Sequence, residues 1–381
     1  MTIFSYSQAK KLSPQAEISI ITAGPGKVLF EGFGHSTIRV QDKELAIDLA
    51  YNYGVFDFNA PNFYVNFVKG NLFYKLEKYP FHYFVRGYNR QQRWIKEQVL
   101  NLSLQEKQQF FDFLENNAKP KNAFYSYDPF FNNCASKLRG ISDLILKDQV
   151  DFSDSHIINK ESFRVLMNKE LPWNTWGNLG INIALGSKLD QIASEKEYMY
   201  LPDYVYVGFK NATIFRNGVV EPFVKNENDI LTHKESKAAI PPFNPLLLFS
   251  IFLLIGLAIT YFDIGKKRRT RWFDFLLFFI TGIFGLLILF LWFFTNHSTA
   301  PNNFNFLWAF APNLLAAFFI LKKSPRKWVK QYIYVLLILL IITPIIWIGE
   351  IQLFAKSLIP FLVLLFVRYI ALIKILLPSK K

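Results

Sequence analysis

The chain contains a single cysteine, Cys134, within the stretch "FNNCASKLRG". Apolar residues recur at helical spacing after it, so we predict that Cys134 opens a helix whose N-cap is Asn132 or Asn133. There the thiol would lie over unpaired N–H groups at the positive end of the helix dipole, which lowers its pKa and favours the nucleophilic thiolate. A lone cysteine is otherwise often a small buried hydrophobic residue, so a catalytic role requires a partner.

The partner of a catalytic cysteine is usually a histidine that acts as a base. The chain has five histidines. His297 lies in a loop, His233 lies in a linker-like segment, and His82 and His156 stand in segments without other polar groups. His35 begins the strand "HSTIRV" after the glycines of "GFG", where a side chain can face a cleft. We therefore predict His35 as the base.

A histidine base also needs a group that holds its orientation. The strands "HSTIRV" and "KELAIDLAYNYG" are predicted to pair as a hairpin. A turn at residues 42–43 would place Asp48 opposite Thr37, on the face of the proposed base, since strand side chains alternate. Asp48 is therefore the predicted orienting residue, and Tyr51 or Asn52 takes this place if the register differs.

The oxygen that becomes negatively charged in such a reaction needs hydrogen-bond donors. The Cys134 N–H and the side chain of Asn133 are the predicted donors. Ser36, Tyr51 and Asn52 are further candidates for contact with the substrate or this oxyanion. No cofactor is expected, because no histidines pair at metal-ligand spacing and "GPGK" lacks the spacing of a phosphate loop.

The basic charge of the chain is concentrated in its apolar C-terminal third. Of the formal net charge of +14, the residues from Phe243 onward carry +12 and the first 242 residues carry +2. Phenylalanine accounts for 41 residues, and aromatic residues make up 18% of the chain. This distribution favours contact with lipid and argues against nucleic acid as a partner.

Five apolar segments approach or exceed the ~20 residues that cross a bilayer core. They are residues 245–262, 273–294, 304–321, 332–348 and 358–377. The first, third and fifth are followed by lysine and arginine, whereas the loops after the second and fourth carry only Lys356. Short basic loops face the cytoplasm. We therefore predict a five-helix transmembrane bundle with a cytoplasmic tail (378–381) and an N-terminal domain on the outer side of the membrane.

Residues 17–222 are predicted to form one exported α+β domain between an N-terminal tail (1–16) and a linker (223–244). Besides the strands above, "EISIITA" has strand alternation, and residues 90–102 and 103–118 have helical spacing. Residues 204–218 are predicted to form a closing hairpin. Export requires a signal peptide, and none is visible; "FSYSQA" (4–9) is expected to be the remnant of a cleavage region, unless translation starts upstream.

Several motifs together resemble the exported domain of the Lnb family of bacterial lipoprotein N-acyltransferases. They are "FGHSTIRV", "DLAYNYGVFDFNAPNFYVNFVKG", "YDPFFNNCASKLR" and "LPDYV", and the loop "NHSTAPNNFNFLWAFAP" is similar to a signature of the family's membrane part. Pro129 and Asn133 depart from the family's pattern around the cysteine. The order of histidine before cysteine also resembles circularly permuted papain-like (NlpC/P60-like) folds.

The resemblance implies a cysteine nucleophile and a histidine base, which correspond to Cys134 and His35. It implies transfer of a fatty acyl group from a phospholipid donor, through a thioester, to the α-amine of a diacylated lipoprotein acceptor. His297 and Asn303 would then contact a lipid headgroup or supply interfacial polarity. The aromatic stretch 56–74 would dock on membrane lipids, line an acyl channel or pack in a core.

Two other functions are compatible with the same sequence features. A membrane-anchored Cys/His peptidase or amidase acting on cell-wall peptides would use the same pair of residues. A membrane sensor or transporter with an extracytoplasmic ligand domain would not need the cysteine at all.

Overall fold

The structure is a computed structural model that describes residues 10–153, 155–235 and 237–376. Contacts within the chain divide it into two compact units. The first unit comprises residues up to 66, 72–161 and 192–238, and the second comprises 67–71, 162–191 and 239 onward. The predicted cleavage remnant (4–9) and cytoplasmic tail (378–381) lie outside the described residues.

The strands of the described residues form a seven-stranded and a three-stranded antiparallel sheet. The order in the large sheet is β10-β5-β1-β2-β3-β4-β6, and in the small sheet it is β7-β8-β9. The strands are β1 (Glu17–Ala23), β2 (His35–Asp42), β3 (Ile47–Val55), β4 (Phe73–Pro80), β5 (Ile95–Leu100), β6 (Phe124–Ser126), β7 (Val150–Asp151), β8 (Thr213–Arg216), β9 (Val219–Pro222) and β10 (Val224–Leu231).

Helices separate and follow these strands along the chain. In chain order they are α1 (Phe63–Lys69), α2 (Phe81–Arg90), α3 (Leu104–Asn117), α4 (Cys134–Leu146), α5 (Phe163–Glu170), α6 (Trp176–Ala184), α7 (Glu195–Tyr198), α8 (Pro202–Asn211), α9 (Pro245–Gly265), α10 (Arg271–Phe293), α11 (Asn313–Ile320), α12 (Lys327–Ile348) and α13 (Ile359–Ile375). The first unit is thus an α+β domain built on an antiparallel sheet, as the sequence predicts.

The large sheet is covered by helices on both faces. On one face, Ile18 and Ile38 belong to a core formed with α3, α4 and α8. On the other face, Ile21 and Ala23 pack against Phe81 of α2. Side chains of a strand point alternately to the two faces, so β1, which is buried on both, consists almost entirely of apolar or small residues.

The turn between β2 and β3 differs from the prediction, and this changes the register. Gln41 pairs with Asp48, so Asp48 does not lie opposite Thr37. The reason is the buried Asp42 carboxylate, which accepts hydrogen bonds from the Glu44 and Leu45 N–H groups. These bonds form a longer turn than the one that the sequence predicts.

The helix predicted for residues 90–102 is wrong, because these residues contain β5. Glu97 and Gln98 are polar but buried. Glu97 binds Arg39 at 2.9 Å, and Gln98 donates to the Tyr206 carbonyl at 3.0 Å. Buried polar residues inside a sheet that have hydrogen-bond partners therefore produced the same sequence pattern as the polar face of an exposed helix.

The predicted boundaries around the linker also change. Strand β10 lies inside the predicted linker 223–244 and pairs with β5 at the edge of the large sheet. The hairpin predicted for residues 204–218 is wrong, because residues 204–211 belong to α8. The hairpin in this region is formed by β8 and β9, at residues 213–222. Residues 162–191 group with the membrane helices rather than with the exported domain.

Among the described residues, four segments of the second unit are long and apolar enough to cross a membrane. They are Pro245–Gly265, Arg271–Phe293, Lys327–Ile348 and Lys356–Ile375. Three buried charges inside this bundle are paired: Arg368 of α13 bonds Asp263 of α9 and Asp274 of α10, each at 2.7 Å. Burial of such charges is tolerated only with partners of this kind.

The predicted third span, residues 304–321, is not one continuous helix. A 3₁₀ turn at Phe304–Leu307 and Pro312 precede α11, which is only about 12 Å long. Side chains of this segment are hydrogen-bonded inside the protein: Trp308 donates to Asn305 at 2.8 Å, and Asn313 donates to Thr281 at 2.9 Å. Irregular backbone at membrane depth requires burial of this kind.

We expect Asp42→Ala to destabilise the first unit by about 2 kcal/mol, because the Asp42 carboxylate also accepts from the Ser13 N–H and hydroxyl at 2.7 and 2.9 Å. Thermal unfolding of the detergent-solubilised full chain should begin about 4–8 °C lower. Asp112→Ala, which removes an exposed carboxylate bonded to Gln108, is the control and should leave the transition in place.

The same variant has a predicted pH dependence. Burial raises the pKa of Asp42, but the hydrogen bonds from Ser13, Leu45 and Glu44 outweigh it and hold that pKa below its ordinary value. The free energy of unfolding that the Asp42 carboxylate contributes is therefore fully present above the ordinary carboxyl pKa. It is lost as the pH falls through the lower pKa of Asp42 in the folded state. A wild-type to Asp42→Ala difference that stays constant into strong acid would contradict this account.

Candidate functional site

The first unit brings together side chains from opposite faces of the sheet where β2 and β3 separate. The β2–β3 pairing ends at Ile38 and Tyr51, whereas β2 continues to pair with β1 as far as His35. The His35 ring lies on the α2 side, 6.3 Å from Phe84. Helix α4 packs on the other side of the sheet, and its first residue, Cys134, reaches the gap.

The start of α4 is fixed by Asn133, as the sequence predicts. Its Oδ1 accepts from the Ala135 and Ser136 N–H groups at 3.0 and 2.9 Å, and its backbone N–H donates to the Ser136 hydroxyl. This reciprocal cap satisfies N–H groups that a helix start leaves unpaired. Among the described residues, the Cys134 N–H itself donates no hydrogen bond.

Glycine at position 54 leaves room for Cys134 between the strands. Gly54 has a φ of +86°, and β3 changes register against β4 between Asn52 and Val55. A Cβ at position 54 would lie 3.6 Å from the Cys134 Cβ. A left-handed backbone conformation and close approach of another chain segment both favour glycine.

The Cys134 sulfur accepts a hydrogen bond from the Ser36 N–H and is hydrogen-bonded to the His35 side chain; it also shares the Ala135 N–H with Asn133 Oδ1. Burial raises the pKa of the Cys134 thiol, but the charge of His35 and these hydrogen bonds outweigh burial and place that pKa below its ordinary value. Ser36 acts here through its backbone N–H, which lies just beyond the last β2–β3 pair.

Asn52 holds the other side of the His35 ring. His35 Nε2 and Asn52 Oδ1 are 2.5 Å apart, and Asn52 Nδ2 donates to the Tyr79 hydroxyl at 2.9 Å. Because the Asn52 amide is oriented by Tyr79, its oxygen faces His35 and accepts the Nε2 proton. In the neutral imidazole, Nδ1 then remains as the basic nitrogen available to Cys134.

Several groups act on the pKa of His35. Burial and the charge of Arg93 lower this pKa. The charge of Cys134 and the hydrogen bonds to Cys134 and Asn52 raise it by more, so the pKa of His35 lies above its ordinary value. A lowered thiol pKa and a raised imidazole pKa together favour a thiolate–imidazolium pair at neutral pH.

Asp48, the predicted orienting residue, makes no hydrogen bond to His35 among the described residues. Its carboxylate binds the Arg39 guanidinium through two hydrogen bonds of 2.7 and 2.9 Å. It lies on the same face of β3 as Asn52 but four residues further along, because of the longer β2–β3 turn. Asn52, the fallback residue, makes the contact that Asp48 was expected to make.

Two other candidates are committed to structural contacts. The Asn133 amide donates to the carbonyls of Pro129 and Tyr200, each at 2.8 Å, so it has no donor left for an oxyanion. Tyr51 is buried in the core and donates to Glu115 at 2.5 Å. The Ser36 hydroxyl is also buried and makes no hydrogen bond among the described residues.

The remaining candidates, His297 and Asn303, belong to the second unit. Asn303 is buried; it donates to the Ile183 carbonyl at 2.7 Å and accepts from the Asn305 N–H at 3.0 Å. Asn303 therefore connects its loop to helix α6 rather than facing a lipid headgroup. His297 is half-buried, with its ring 6.5 Å from that of Phe67.

Tyr79 and Arg93 lie near the site but were not predicted from the sequence. Tyr79 reaches Asn52 from β4, which follows β3 only after a long connection, so no turn length predicts their register. Arg93 is buried, donates to the Gly24 carbonyl at 2.7 Å and lies over the Tyr88 ring. It lies in residues 90–102, for which the spacing predicts a helix, so the sequence places it near no site residue.

The arrangement can perform nucleophilic substitution at a carbonyl group. It combines an activated thiol, an imidazole held by an amide and a free N–H at a helix start. No group of three or more histidine, cysteine, aspartate or glutamate side chains that could hold a metal ion occurs in the part of the chain that the structure describes.

Comparison with known proteins gives two matches that together cover most of the chain. Residues 6–179 match the family described as the Lnb N-terminal periplasmic domain. Residues 234–380 match the family described as the Lnb transmembrane domain, a five-helix (5TMH) family. No curated protein and no solved structure gives a significant match.

The activated thiol can be tested without any substrate. In the wild type, iodoacetamide should alkylate Cys134 rapidly at pH 6–7, because its pKa is lowered mainly by His35. His35→Ala leaves the thiol half-buried without the imidazole, so alkylation at pH 6.5 should slow by about tenfold or more. The measurement is the alkylation rate against pH by intact-mass spectrometry.

The matched control for this measurement is His82→Ala, which removes an exposed histidine of α2 whose ring lies 4.1 Å from that of Tyr83. It should leave the alkylation profile unchanged. Profiles of wild type and His35→Ala that coincide would show that the imidazole does not activate the sulfur.

Proposed function

This chain belongs to the Lnb family, and we propose that it is a lipoprotein N-acyltransferase. In this proposal it moves a fatty acyl group from a phospholipid to the α-amine of the N-terminal S-diacylglyceryl cysteine of a lipoprotein. The observation that carries the proposal is the hydrogen-bonded Cys134–His35 pair in a periplasmic domain followed by membrane helices. Both proposed substrates are lipids, which is consistent with a multi-pass membrane protein.

The first half-reaction forms a thioester on Cys134. The sulfur attacks the carbonyl carbon of a phospholipid ester while its proton resides on His35. The carbon–oxygen ester bond then breaks, and His35 gives the proton to the departing oxygen of the lysophospholipid. Asn52 keeps the imidazole oriented throughout, and Tyr79, whose pKa burial raises to about 12, stays protonated and holds Asn52.

The second half-reaction releases the acyl group to the acceptor. The α-amine of the lipoprotein cysteine attacks the thioester carbon, and His35 takes a proton from the amine nitrogen. The carbon–sulfur bond breaks, an amide forms and the sulfur leaves as the thiolate, which returns to its pair with the protonated His35. The product is a triacylated lipoprotein, and Cys134 is regenerated.

Each half-reaction passes through a tetrahedral oxyanion that needs a donor. The Cys134 N–H, which has no other hydrogen-bond partner among the described residues, is the donor we assign. It stands at the N-terminus of α4, where the helix dipole also favours negative charge. Asn133 contributes by holding this helix start rather than by contacting the oxyanion.

We further propose that the first unit has a permuted papain-like (NlpC/P60-like) fold. In support, the base His35 precedes the nucleophile Cys134, which begins a helix packed against an antiparallel sheet. The membrane part is proposed to lie in the bacterial inner membrane with its C-terminus in the cytoplasm. Its support is the basic character of the loops that follow α9 and α11.

The test is acylation of the purified full chain by phospholipid vesicles. We expect intact-mass spectrometry to show one fatty acyl adduct that neutral hydroxylamine removes, as it does a thioester. Because Cys134 is the only cysteine, the adduct has one possible thioester position, and Cys134→Ala is the matched control that should remain unmodified.

The outcome also separates the proposal from its main alternative. An adduct that persists in Cys134→Ala, or no adduct on the wild type, would contradict acyl transfer through this sulfur. Cleavage of muropeptides by a protein that forms no acyl adduct would instead support a cell-wall peptidase or amidase.

A further inference from the structure

We propose that a row of aromatic side chains next to Cys134 binds the fatty acyl chain that the enzyme transfers. This acyl row consists of Tyr127, Tyr74, Phe56, Phe58, Phe63 and Phe30, all in the first unit. The inference rests on the proposed function, since it assigns the place of the acyl chain while its carbonyl carbon is bound to the sulfur.

The Gly54 side of Cys134 offers an apolar direction for an acyl chain. The sulfur is engaged by the His35 side chain and by the N–H groups of Ser36 and Ala135. On the Gly54 side there is no side chain, and the next group is the Tyr127 ring. A Cβ at position 54 would lie 3.6 Å from the Cys134 Cβ and 3.4 Å from Tyr127 Cε2, so a methyl group there would contact both.

The rings beyond this point form a continuous apolar path. Tyr127 stacks on Tyr74 with ring centroids 4.3 Å apart, and Tyr74 lies 4.9 Å from Phe56. From Phe56 the path branches to Phe58 at 4.8 Å and to two further rings, Phe63 at 5.9 Å and Phe30 at 6.3 Å. Contacts of this length are typical of packed aromatic side chains.

The rings at two outer ends of the row are exposed, as a path from the sulfur to a lipid phase requires. Phe58 is 51% and Phe30 is 59% exposed. Nearer the sulfur, Tyr74 is 8% exposed, and Tyr127 and Phe56 are half-buried. Exposed rings in contact with one another retain apolar surface that a protein normally covers. A flexible hydrocarbon chain is the occupant that fits, because the row begins at the atom that would carry the acyl group.

The row assigns one of the roles that the sequence left open for residues 56–74. An acyl chain lying along it would gain affinity with each methylene group it buries, and chains too short to reach Phe56 and Phe58 would gain nothing from these rings. The enzyme should therefore prefer long-chain donors, and the preference should depend on the outer rings but not on the chemistry at Cys134.

The experiment compares Phe56→Ser and Phe58→Ser in the detergent-solubilised full chain, with acyl donors of two lengths. Initial rates of Cys134 acylation are measured by intact mass with dipalmitoyl- and dibutyryl-phosphatidylethanolamine. We expect the long-to-short rate ratio to fall about tenfold in each variant while the dibutyryl rate stays near that of the wild type. Phe215→Ser, at a 54% exposed ring of β8 outside the row, should keep the wild-type ratio.

A second arm uses no lipid substrate. N-dodecylmaleimide and N-ethylmaleimide both modify Cys134, and the row should favour the longer reagent in the wild type and in Phe215→Ser but not in the two row variants. Phe58→Ser alters only a largely exposed ring, so loss of folding is not an expected cause, and an unchanged N-ethylmaleimide rate verifies this.

The outcomes separate this inference from the proposed function. A long-to-short ratio unchanged in both row variants would overturn the acyl row, and so would equal losses for both chain lengths, which would indicate membrane docking or a general defect. A wild type that phospholipid does not acylate, but that shows the row-dependent maleimide preference, would refute the acyltransferase while retaining the acyl site.

Discussion

The separation of β2 from β3 beyond the Ile38–Tyr51 pair is the constraint on which the site depends. In a continuous ladder β3 would lie directly beside His35 and Ser36, and no side chain from the α4 face could approach His35. Where the strands part, a helix start can enter the gap, and the Ser36 N–H bonds the Cys134 sulfur. A local break in strand pairing thus allows two residues from opposite faces of one sheet to meet.

The groups around the gap have matching roles. Gly54 keeps it open on the β3 side, and the Asn133 cap fixes the end of the helix that fills it. Tyr79 orients the Asn52 amide, and Asn52 in turn determines which imidazole nitrogen faces the sulfur. The polar atoms that surround the dyad are largely held by other protein groups, so little reorganisation is needed when charge moves between sulfur and imidazole.

In the second unit, buried polar side chains satisfy backbone groups of irregular segments. Its broken third segment and helix α6 contain buried asparagines that bond backbone carbonyls. Asn305 donates to the Asn182 carbonyl, and Asn303 donates to the Ile183 carbonyl. Arg164, fully buried, binds Asp190 and the Leu185 carbonyl. These contacts supply internal partners for backbone that would otherwise be unsatisfied in an apolar environment.

The parts of this fold that could be predicted from sequence are those governed by local rules. The helix start at Cys134, the Ser103 capping box and four apolar spans follow from short patterns, and each is present. The choice of His35 came from its place at a strand start, and the structure bonds it to Cys134.

The errors arose where a distant contact decided the outcome. Asp42 lengthened the β2–β3 turn through bonds that include Ser13, and this moved Asp48 away from His35 and brought Asn52 to it. Strand β5 was predicted as a helix because the partners that allow Glu97 and Gln98 to be buried lie far away in the sequence. Tyr79 reaches Asn52 across a long connection, so neither composition nor periodicity could identify it.

The central claim is that the sulfur in this gap carries acyl groups to lipoproteins in the cell. The most direct measurement is mass spectrometry of lipoprotein N-termini from cells that lack their own N-acylation and express either the wild-type chain or Cys134→Ala. The account predicts triacylated N-termini with the wild type and diacylated N-termini with the variant. Triacylated lipoproteins in cells with Cys134→Ala, or diacylated ones alone with a well-expressed wild type, would contradict it.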